Sequence, residues 1–295
     1  MQWSSTRIEI TANGVPFAAL ADGPNDGPLA LCLHGFPDSA HTWRYLLPEL
    51  AAAGFHAVAP WMRGYAPTAV PADGSYGPGA LAADACALHE ALGGDGRAVL
   101  IGHDWGAIAA YGAANFAPER WRRVVTGAVP PLGALGINPI RYEQLKRSFY
   151  MYVFQTPIAE QAVGMDDMAF IDGLWRDWSP GYDGSQDIAA AKDALRDPAN
   201  LAAAIGYYRA MLGATPPDPA YSAQAAAALG IAPQPTMFLH GDQDGSATAE
   251  VLADAAAFLS PGSKVETVAD TGHFFHVEKP AEVNRLIVDW VTAEP

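Results

Sequence analysis

The sequence predicts an α/β protein with a mostly parallel sheet, flanking helices and an inserted helical segment. Short, continuously apolar runs alternate with helix-length segments up to about residue 130, the alternation then stops, and it resumes near residue 228. Continuous apolar runs are typical of strands covered on both faces, and strands separated by helices favour parallel crossover connections. With 295 residues and a 50% hydrophobic composition, the chain is long enough to bury such a core.

The predicted elements begin with an antiparallel hairpin. Two strand-like stretches, TRIEITANG and VPFAALADG, meet at Asn13-Gly14, a dipeptide that tolerates the positive φ angles of a tight turn. Further strands are predicted in PLALCLHG, FHAVAPW, RAVLIGHD and RRVVTGAVP, with helices in TWRYLLPELAAAG, GALAADACALHEALGG and WGAIAAYGAANFAPER between them. Beyond residue 227, the pattern predicts a strand in PQPTMFLHGDQD, a helix in ATAEVLADAAAFL, a strand in KVETVADTGH and a last helix in AEVNRLIVDWV.

The middle of the chain is predicted to form a helical lid. Residues 131–227 carry helical and Pro-rich stretches with many aromatic residues, and no strand-like run of comparable strength. We therefore expect residues 1–130 and 228–295 to form the two parts of one α/β core, with the helical cap of residues 131–227 inserted between them.

Composition restricts the partners. The formal net charge of −15 argues against nucleic acid, because binding a phosphate backbone requires a basic surface. No segment approaches the ~20 apolar residues of a membrane span, and the N-terminal residues lack the apolar stretch of a secretory signal.

Cys32 and Cys86 lie in apolar runs, as expected of buried free thiols in a reducing cytoplasm. The histidines follow no zinc-ligand spacing, so neither a metal nor a cofactor is expected. The oligomeric state is not predicted.

A turn after the RAVLI strand supplies a candidate nucleophile, Asp104. Gly102-His103-Asp104-Trp105-Gly106 has the G-x-nucleophile-x-G pattern, in which glycines permit a strained strand-to-helix corner that exposes the central side chain. The N-terminus of the following helix keeps a carboxylate ionised. The alternative is that Asp104 only caps this helix.

An acid and a base follow in the order typical of α/β-hydrolases. Asp244 in HGDQDG and His273 in DTGHFFH each come just after a predicted strand. His273 is predicted to activate water, and Asp244 to hold its tautomer and stabilise the imidazolium. Asp242 and Asp270 are alternative acids, of which Asp242 is the more serious. His276 is interpreted as structural.

The turn His34-Gly35-Phe36-Pro37 is predicted to complete an oxyanion hole. The backbone N–H groups of Phe36 and Trp105 are the expected donors, and Pro37 is a candidate for a cis peptide bond. His34 and His103 are interpreted as packing residues near the site. The predicted substrate pocket comprises His34, Pro37, Trp105 and Phe154.

A carboxylate nucleophile restricts the reaction. Attack on a carbonyl gives a mixed anhydride, whereas attack on an sp³ carbon that carries a strained or good leaving group gives an ordinary ester. Epoxides and alkyl halides are therefore favoured over ester or amide substrates. Water activated by His273 then hydrolyses the ester of Asp104 while its carbonyl oxygen occupies the oxyanion hole.

The motifs together identify a resemblance that spans nearly the whole chain. HGFPDSAHTWR, RGYAPT, GHDWGA, HGDQDG and TGHFFHVEKP resemble the epoxide hydrolase branch of the α/β-hydrolase family. The resemblance implies hydrolysis of a small apolar epoxide to a vicinal diol, with two lid tyrosines that bind and protonate the epoxide oxygen. Its motifs match FYMYVFQTPIAEQ at Tyr150 and GYYRAM at Tyr208, with Tyr152 and Tyr207 as adjacent alternatives. Trp61 stands where this family usually has an acidic residue.

Two other functions compete with this interpretation. A haloalkane dehalogenase shares the aspartate nucleophile. The indole N–H of Trp105 could hold a departing halide, with Trp175 or Trp178 as a second donor. Against this function, Phe36 offers no side-chain amide to bind the halide. A haloacetate dehalogenase is disfavoured because positions 105 and 108 hold no arginine. A noncatalytic small-molecule binder is the alternative of another class, although no catalytic residue is missing.

Overall fold

This computed structural model describes residues 5–136 and 138–294. Within this part of the chain lies an eight-stranded sheet. The strands lie in the order β1-β2-β4-β3-β5-β6-β7-β8, with β1 and β2 antiparallel to their neighbours and β3 to β8 parallel. They are β1 Thr6–Ala12, β2 Val15–Asp22, β3 Leu29–Leu33, β4 His56–Pro60, β5 Ala98–His103, β6 Trp121–Gly127, β7 Thr236–Gly241 and β8 Lys264–Val268. The predicted hairpin and mostly parallel sheet are confirmed.

Helices connect the parallel strands and fill the interval between β6 and β7. Those near the first six strands are α1 Leu47–Ala52, α2 Pro78–Ala91 and α3 Trp105–Phe116. Between β6 and β7 lie α4 Tyr142–Arg147, α5 Phe149–Val153, α6 Ala159–Trp178, α7 Ser185–Leu195, α8 Pro198–Met211 and α9 Ser222–Ala227. The last are α10 Ala249–Leu252, α11 Phe275–Glu278 and α12 Pro280–Thr292. None of the helices in the described residues has the length and apolar character that crossing a membrane requires.

Two predicted helices differ from the observed ones. In TWRYLLPELAAAG, a 3-10 helix ends at Trp43 and α1 begins only at Leu47, because Pro48 lacks an N–H group and is suited to the first helical turn. In ATAEVLADAAAFL, the short helix α10 is followed by a separate 3-10 helix, Ala255–Phe258. Apolar spacing does not distinguish one long helix from two short ones.

The sheet is the centre of the hydrophobic core. Every residue of β3, β4, β5 and β7 is buried, as expected for parallel strands covered on both faces. The edge strand β8 is mostly exposed, which fits its having a neighbour on one side only. Cys32 and Cys86 are both buried free thiols.

The inserted helices are not all part of one unit. Helix α9 packs against α2 and α3, whereas α6 and α7 pack against α8. We therefore use the name cap for α4–α8. Within α6, residues 165–168 depart from helical geometry, with positive φ angles at Asp166, Asp167 and Met168.

Buried polar contacts join the cap to the core. Arg44, which follows the 3-10 helix Ala40–Trp43, forms a buried ion pair with Asp187 of α7. The Tyr207 hydroxyl of α8 donates to the carbonyl of Arg63 at 2.8 Å, and the Trp175 indole of α6 donates to the carbonyl of Pro37 at 2.8 Å. The cap is thereby fixed over the carboxyl ends of the parallel strands, where the predicted catalytic residues lie.

Candidate active site

Asp104 occupies a strained corner between β5 and α3. Its φ angle is 54°, a left-handed conformation that non-glycine residues rarely adopt. The corner is also crowded, since a Cβ atom on Gly106 would lie 2.1 Å from the Leu33 carbonyl oxygen, and one on Gly102 would lie 2.1 Å from the Gly106 carbonyl oxygen. Glycine at both positions is therefore required for the turn that presents Asp104.

The Asp104 carboxylate contacts two backbone donors. Its Oδ1 atom accepts the Phe36 N–H at 2.8 Å, and the Trp105 N–H lies close enough to lower the pKa of the carboxyl group. The side chain makes no capping hydrogen bond to α3, which argues against a role as helix cap alone. The two donors predicted for an oxyanion hole thus lie together on one carboxylate.

Asp244 and His273 meet at the same edge of the sheet. His273 Nδ1 lies 3.0 Å from Asp244 Oδ2, and His273 Nε2 lies 3.7 Å from Asp104 Oδ2. The other oxygen of Asp244 accepts the N–H groups of Ser246 and Ala247 at 2.6 and 3.1 Å. Because β5, β7 and β8 are parallel, the loops after them bring these three residues together.

The alternative acids lie elsewhere. The Oδ1 atom of Asp242 accepts the Thr271 N–H at 3.4 Å. The Oδ2 atom of the exposed Asp270 lies 3.8 Å from Lys279 Nζ. Of the three candidates, Asp244 makes the contact with His273.

Electrostatics favour an ionised acid and a basic histidine. Burial raises the pKa of Asp244, but the adjacent His273 outweighs burial, so the net pKa lies below the ordinary value of 3.8. Burial lowers the pKa of His273, but Asp244 and then Asp104 outweigh it, so the pKa lies above 6.5. Burial raises the pKa of Asp104, and His273 and the two backbone N–H groups offset only part of this effect, so the net pKa lies above 3.8.

Tyr150 of α5 and Tyr208 of α8 pack edge-to-face and line the same cavity as Asp104. Their ring centroids lie 5.3 Å apart, and Tyr208 also packs edge-on against Trp105 at 5.1 Å. Both phenols are buried. Burial raises the pKa of each, and the nearby Asp104 carboxylate raises it further, so both stay protonated.

The adjacent tyrosines are placed differently. Tyr152 is 46% exposed on the outer surface of the cap, and the hydroxyl of Tyr207 is engaged by the Arg63 carbonyl. The positions matched through the family motifs, Tyr150 and Tyr208, are therefore the two that border the cavity at Asp104.

This cavity has a volume of about 130 Å³ and a largely aliphatic wall. Its lining includes Asp104, Trp105, His273, Tyr150 and Tyr208. The rest of the wall consists of Ile108, Ala128, Val129, Pro130, Leu132, Leu135, Pro139, Gln144, Ser148, Met151, Met211, Ser246 and Ala247. The lining among the described residues contains no arginine or lysine, so it lacks the cationic groups that would clamp a carboxylate substrate.

Of the four predicted pocket residues, Trp105 lines the cavity but His34, Pro37 and Phe154 do not. His34 Nε2 accepts the Met62 N–H at 3.0 Å, and burial lowers its pKa to about 4, so the ring is neutral and holds the turn. Pro37 follows a cis peptide bond and accepts the Trp175 indole N–H. Phe154 is fully buried against Phe36 and the two tyrosines. These residues support the wall from behind.

Asp38, His103 and His276 form a buried cluster behind His273. One potential ligand atom from each lies within 4.8 Å of the others. However, His103 Nε2 donates to the His273 carbonyl at 2.9 Å, His276 Nε2 contacts Thr42 Oγ1, and the His103 and His276 rings pack 4.4 Å apart. These contacts fit the predicted packing role of His103 and the structural role of His276.

The departure at Trp61 is accommodated by packing. Its buried ring packs edge-on against His41 at 5.3 Å, and the Arg7 guanidinium lies 6.0 Å from its centroid. Trp61 does not contribute to the lining of the cavity at Asp104.

Sequence reasoning missed most of the cavity wall. Ala128, Val129 and Pro130 come directly after β6, so the rule that sites form at the carboxyl ends of parallel strands could have identified them. Ser148 and Met151 lie in the cap, where no strand pattern indicates which helix face points inward.

Comparison with known proteins agrees with this geometry. The family model of the alpha/beta hydrolase fold matches residues 28–280. An epoxide hydrolase of Caballeronia sordidicola is 31% identical over 95% of this chain and 92% of its own length. The AB hydrolase superfamily protein YfhM of Bacillus subtilis is 29% identical, with 96% of each chain covered.

Solved structures give the same result. The crystal structure of Bacillus megaterium epoxide hydrolase in complex with an inhibitor superposes with a TM-score of 0.81 at 27% identity, covering 97% of this chain and 100% of the other. The chain therefore belongs to the α/β-hydrolase fold family and, within it, to the epoxide hydrolases.

Proposed function

We propose that this protein hydrolyses a small apolar epoxide to a vicinal diol through a covalent ester on Asp104, and so acts on an ether bond. The observation that carries the proposal is that two buried phenols, Tyr150 and Tyr208, border the same cavity as Asp104 and His273. A carboxylate, two proton donors and a base around one aliphatic cavity are the groups that this reaction requires.

In the first step, Asp104 Oδ2 attacks an epoxide carbon. Oδ1 is engaged by the Phe36 N–H, which leaves Oδ2 as the attacking atom. The carbon–oxygen bond of the ring breaks, and the ring oxygen takes a proton from Tyr150 or Tyr208. The product is a hydroxyalkyl ester whose carbonyl oxygen, Oδ1, stays in the oxyanion hole formed by Phe36 and Trp105.

In the second step, His273 Nε2 accepts a proton from water, and the resulting hydroxide attacks the ester carbonyl of Asp104. The negative charge that develops on Oδ1 is stabilised by the two backbone N–H groups. Asp244 stabilises the imidazolium through Nδ1. The ester bond then breaks and the departing oxygen takes the proton from His273. The carboxyl group of Asp104 loses the remaining proton of the water, and the tyrosinate gains one, by exchange with solvent, so that both groups return to their starting states.

Halide chemistry is the competing proposal, because Trp105 lies beside the nucleophile. The cavity lining among the described residues holds one indole, Trp105 itself, and the Trp175 indole N–H is engaged by Pro37. A departing halide needs hydrogen-bond donors, whereas an opening epoxide produces a strongly basic alkoxide that must receive a proton. Two phenols fit the second requirement better.

For the domain organisation, we propose the division at residues 1–130, 131–227 and 228–295, with α4–α8 forming the cap over the cavity.

Parallel assays of diol formation from a styrene-type epoxide and of halide release from a chloroalkane test the function. Diol formation without halide release supports the proposal. Halide release alone assigns a dehalogenase, and turnover of neither across a broad panel favours the noncatalytic binder.

A further inference from the structure

The last residue of the cap helix α6 joins the two loops that carry the acid and the base. The carbonyl oxygen of Trp178 accepts the His273 N–H at 2.9 Å and the Gly245 N–H at 3.1 Å. Gly245 directly follows Asp244, so one cap oxygen spans the loops after β7 and β8. The indole ring of Trp178 also packs 5.0 Å from the His273 ring and 5.1 Å from the Tyr150 ring.

The close approach is built into the sequence of both loops. A Cβ atom on Gly245 would lie 1.9 Å from the Asp177 carbonyl oxygen, and one on Gly272 would lie 2.4 Å from Ser179 Cα. Neither glycine has a positive φ angle, so the absence of a side chain matters here for space and not for backbone conformation. The end of α6 therefore lies directly on the backbone of both catalytic loops.

Ser179 extends this contact along the histidine loop. Its Oγ atom accepts the Phe274 N–H at 3.1 Å and donates to Glu278 Oε1 at 2.6 Å. Glu278 in turn accepts the Gly272 N–H at 3.0 Å. Three consecutive backbone N–H groups, at residues 272–274, are thus held by Glu278, Trp178 and Ser179.

We propose that Trp178 and Ser179 are positioning residues of the water-activating step, holding the His273 loop in register with Asp244 from the cap side. The cap would then serve both half-reactions through different residues. Its tyrosines act on the epoxide oxygen, and the end of α6 orients the base that hydrolyses the ester. This role rests on the proposed function, because the step in question is hydrolysis of the Asp104 ester.

Ser179→Ala is the informative variant, since it removes the hydroxyl that holds Phe274 and Glu278 and leaves the Trp178 carbonyl in place. Ser179→Thr retains a hydroxyl, and Ser185→Ala removes an exposed serine of the cap as the matched control. In Ser179→Ala, ester hydrolysis should slow by about tenfold, the value of one hydrogen bond, while alkylation of Asp104 stays within about twofold of wild type. Ser179→Thr should recover most of the loss, and Ser185→Ala should match wild type.

Single-turnover kinetics with a styrene-type epoxide separate the two steps, and intact-mass measurement follows the ester. The His273 Nδ1–H donates to Asp244, and its proton NMR resonance reports the position of the His273 loop without any turnover. Its resonance should shift or exchange faster in Ser179→Ala than in Ser185→Ala.

Hydrolysis at the wild-type rate with an unchanged resonance in folded Ser179→Ala overturns the positioning role. Equal slowing of alkylation and hydrolysis also overturns it, because the base acts in the second step only. If the wild-type protein forms no ester with any epoxide, the proposed function fails, and the NMR comparison alone then decides whether Ser179 positions His273.

Discussion

His273 Nε2 lies 3.7 Å from Asp104 Oδ2, while Asp104 Oδ1 is held by the Phe36 N–H at 2.8 Å. The two oxygens of the nucleophile therefore have different surroundings. One is placed to become the carbonyl oxygen of an ester, and the other faces the group that would activate water. This arrangement distinguishes the two steps of the proposed reaction and makes each of them separately testable.

The acid of the catalytic pair can be tested by amide substitution. Asp244→Asn should slow ester hydrolysis by about 10⁴-fold, because an amide no longer stabilises the imidazolium or its tautomer. Asp242→Asn is the matched control and should have little effect, since Asp242 contacts the Thr271 N–H and not His273. Single-turnover hydrolysis rates measure both. The opposite ranking assigns the acid to Asp242.

The lid tyrosines should act on the first step. Tyr150→Phe and Tyr208→Phe should each weaken alkylation of Asp104 by up to ~3 kcal/mol, the typical value of one donor in a dry site. The double variant should nearly abolish alkylation, whereas the exposed Tyr152 tolerates the same change. Trp105→Phe should do much less harm, since its backbone N–H remains. Dehalogenation that survives loss of both tyrosines but collapses in Trp105→Phe contradicts the epoxide assignment.

The pH dependence of hydrolysis should report the raised pKa of His273. The base must be neutral, so the rate should fall as the pH drops through the pKa of His273. In the ester Asp104 carries no charge, which leaves Asp244 as the main group that raises this pKa, with a smaller contribution from Asp38. Asp244→Asn should therefore move the acid limb of the residual activity to lower pH. An acid limb that stays in place in this variant, measured by stopped-flow hydrolysis, shows that Asp244 does not set the pKa.

The buried ion pair between cap and core should stabilise the fold. Arg44→Met leaves Asp187 buried with the Tyr182 hydroxyl as a remaining partner, and should lower the free energy of unfolding by ~3–5 kcal/mol. Arg97→Met breaks an exposed pair with Asp95 and should cause no measurable change. Denaturant titration compares the two variants, and equal stabilities contradict the role of the buried pair.

Much of the fold and part of the site could be predicted because both follow from local patterns. The continuous apolar runs indicate buried parallel strands, and residues that come just after such strands meet at one edge of the sheet. Asp104, Asp244 and His273 could be predicted on that basis. The positions of Tyr150 and Tyr208 depended on family motifs, because the spacing of aromatic residues does not distinguish them from Tyr152 and Tyr207.

The missed features depend on how the cap packs on the core. His34, Pro37 and Phe154 lie behind the cavity wall, although each is close in sequence to residues of the site. The Trp178 carbonyl is a backbone group, so no side-chain pattern indicates it. The sequence shows only a glycine at position 245 in HGDQDG. The structure shows that its φ angle is not positive and that its role is to permit the close approach of another segment.

The central claim is a covalent ester on Asp104, and the most direct test is intact-mass measurement of His273→Gln after addition of a styrene-type epoxide. Alkylation needs Asp104 and the tyrosines, whereas hydrolysis needs the base. The variant should therefore accumulate protein heavier by one epoxide, with the added mass on the peptide that contains Asp104. Asp104→Asn combined with His273→Gln is the control and should gain no mass. A folded His273→Gln protein that forms no adduct, while the wild type turns over the same epoxide, contradicts the covalent mechanism.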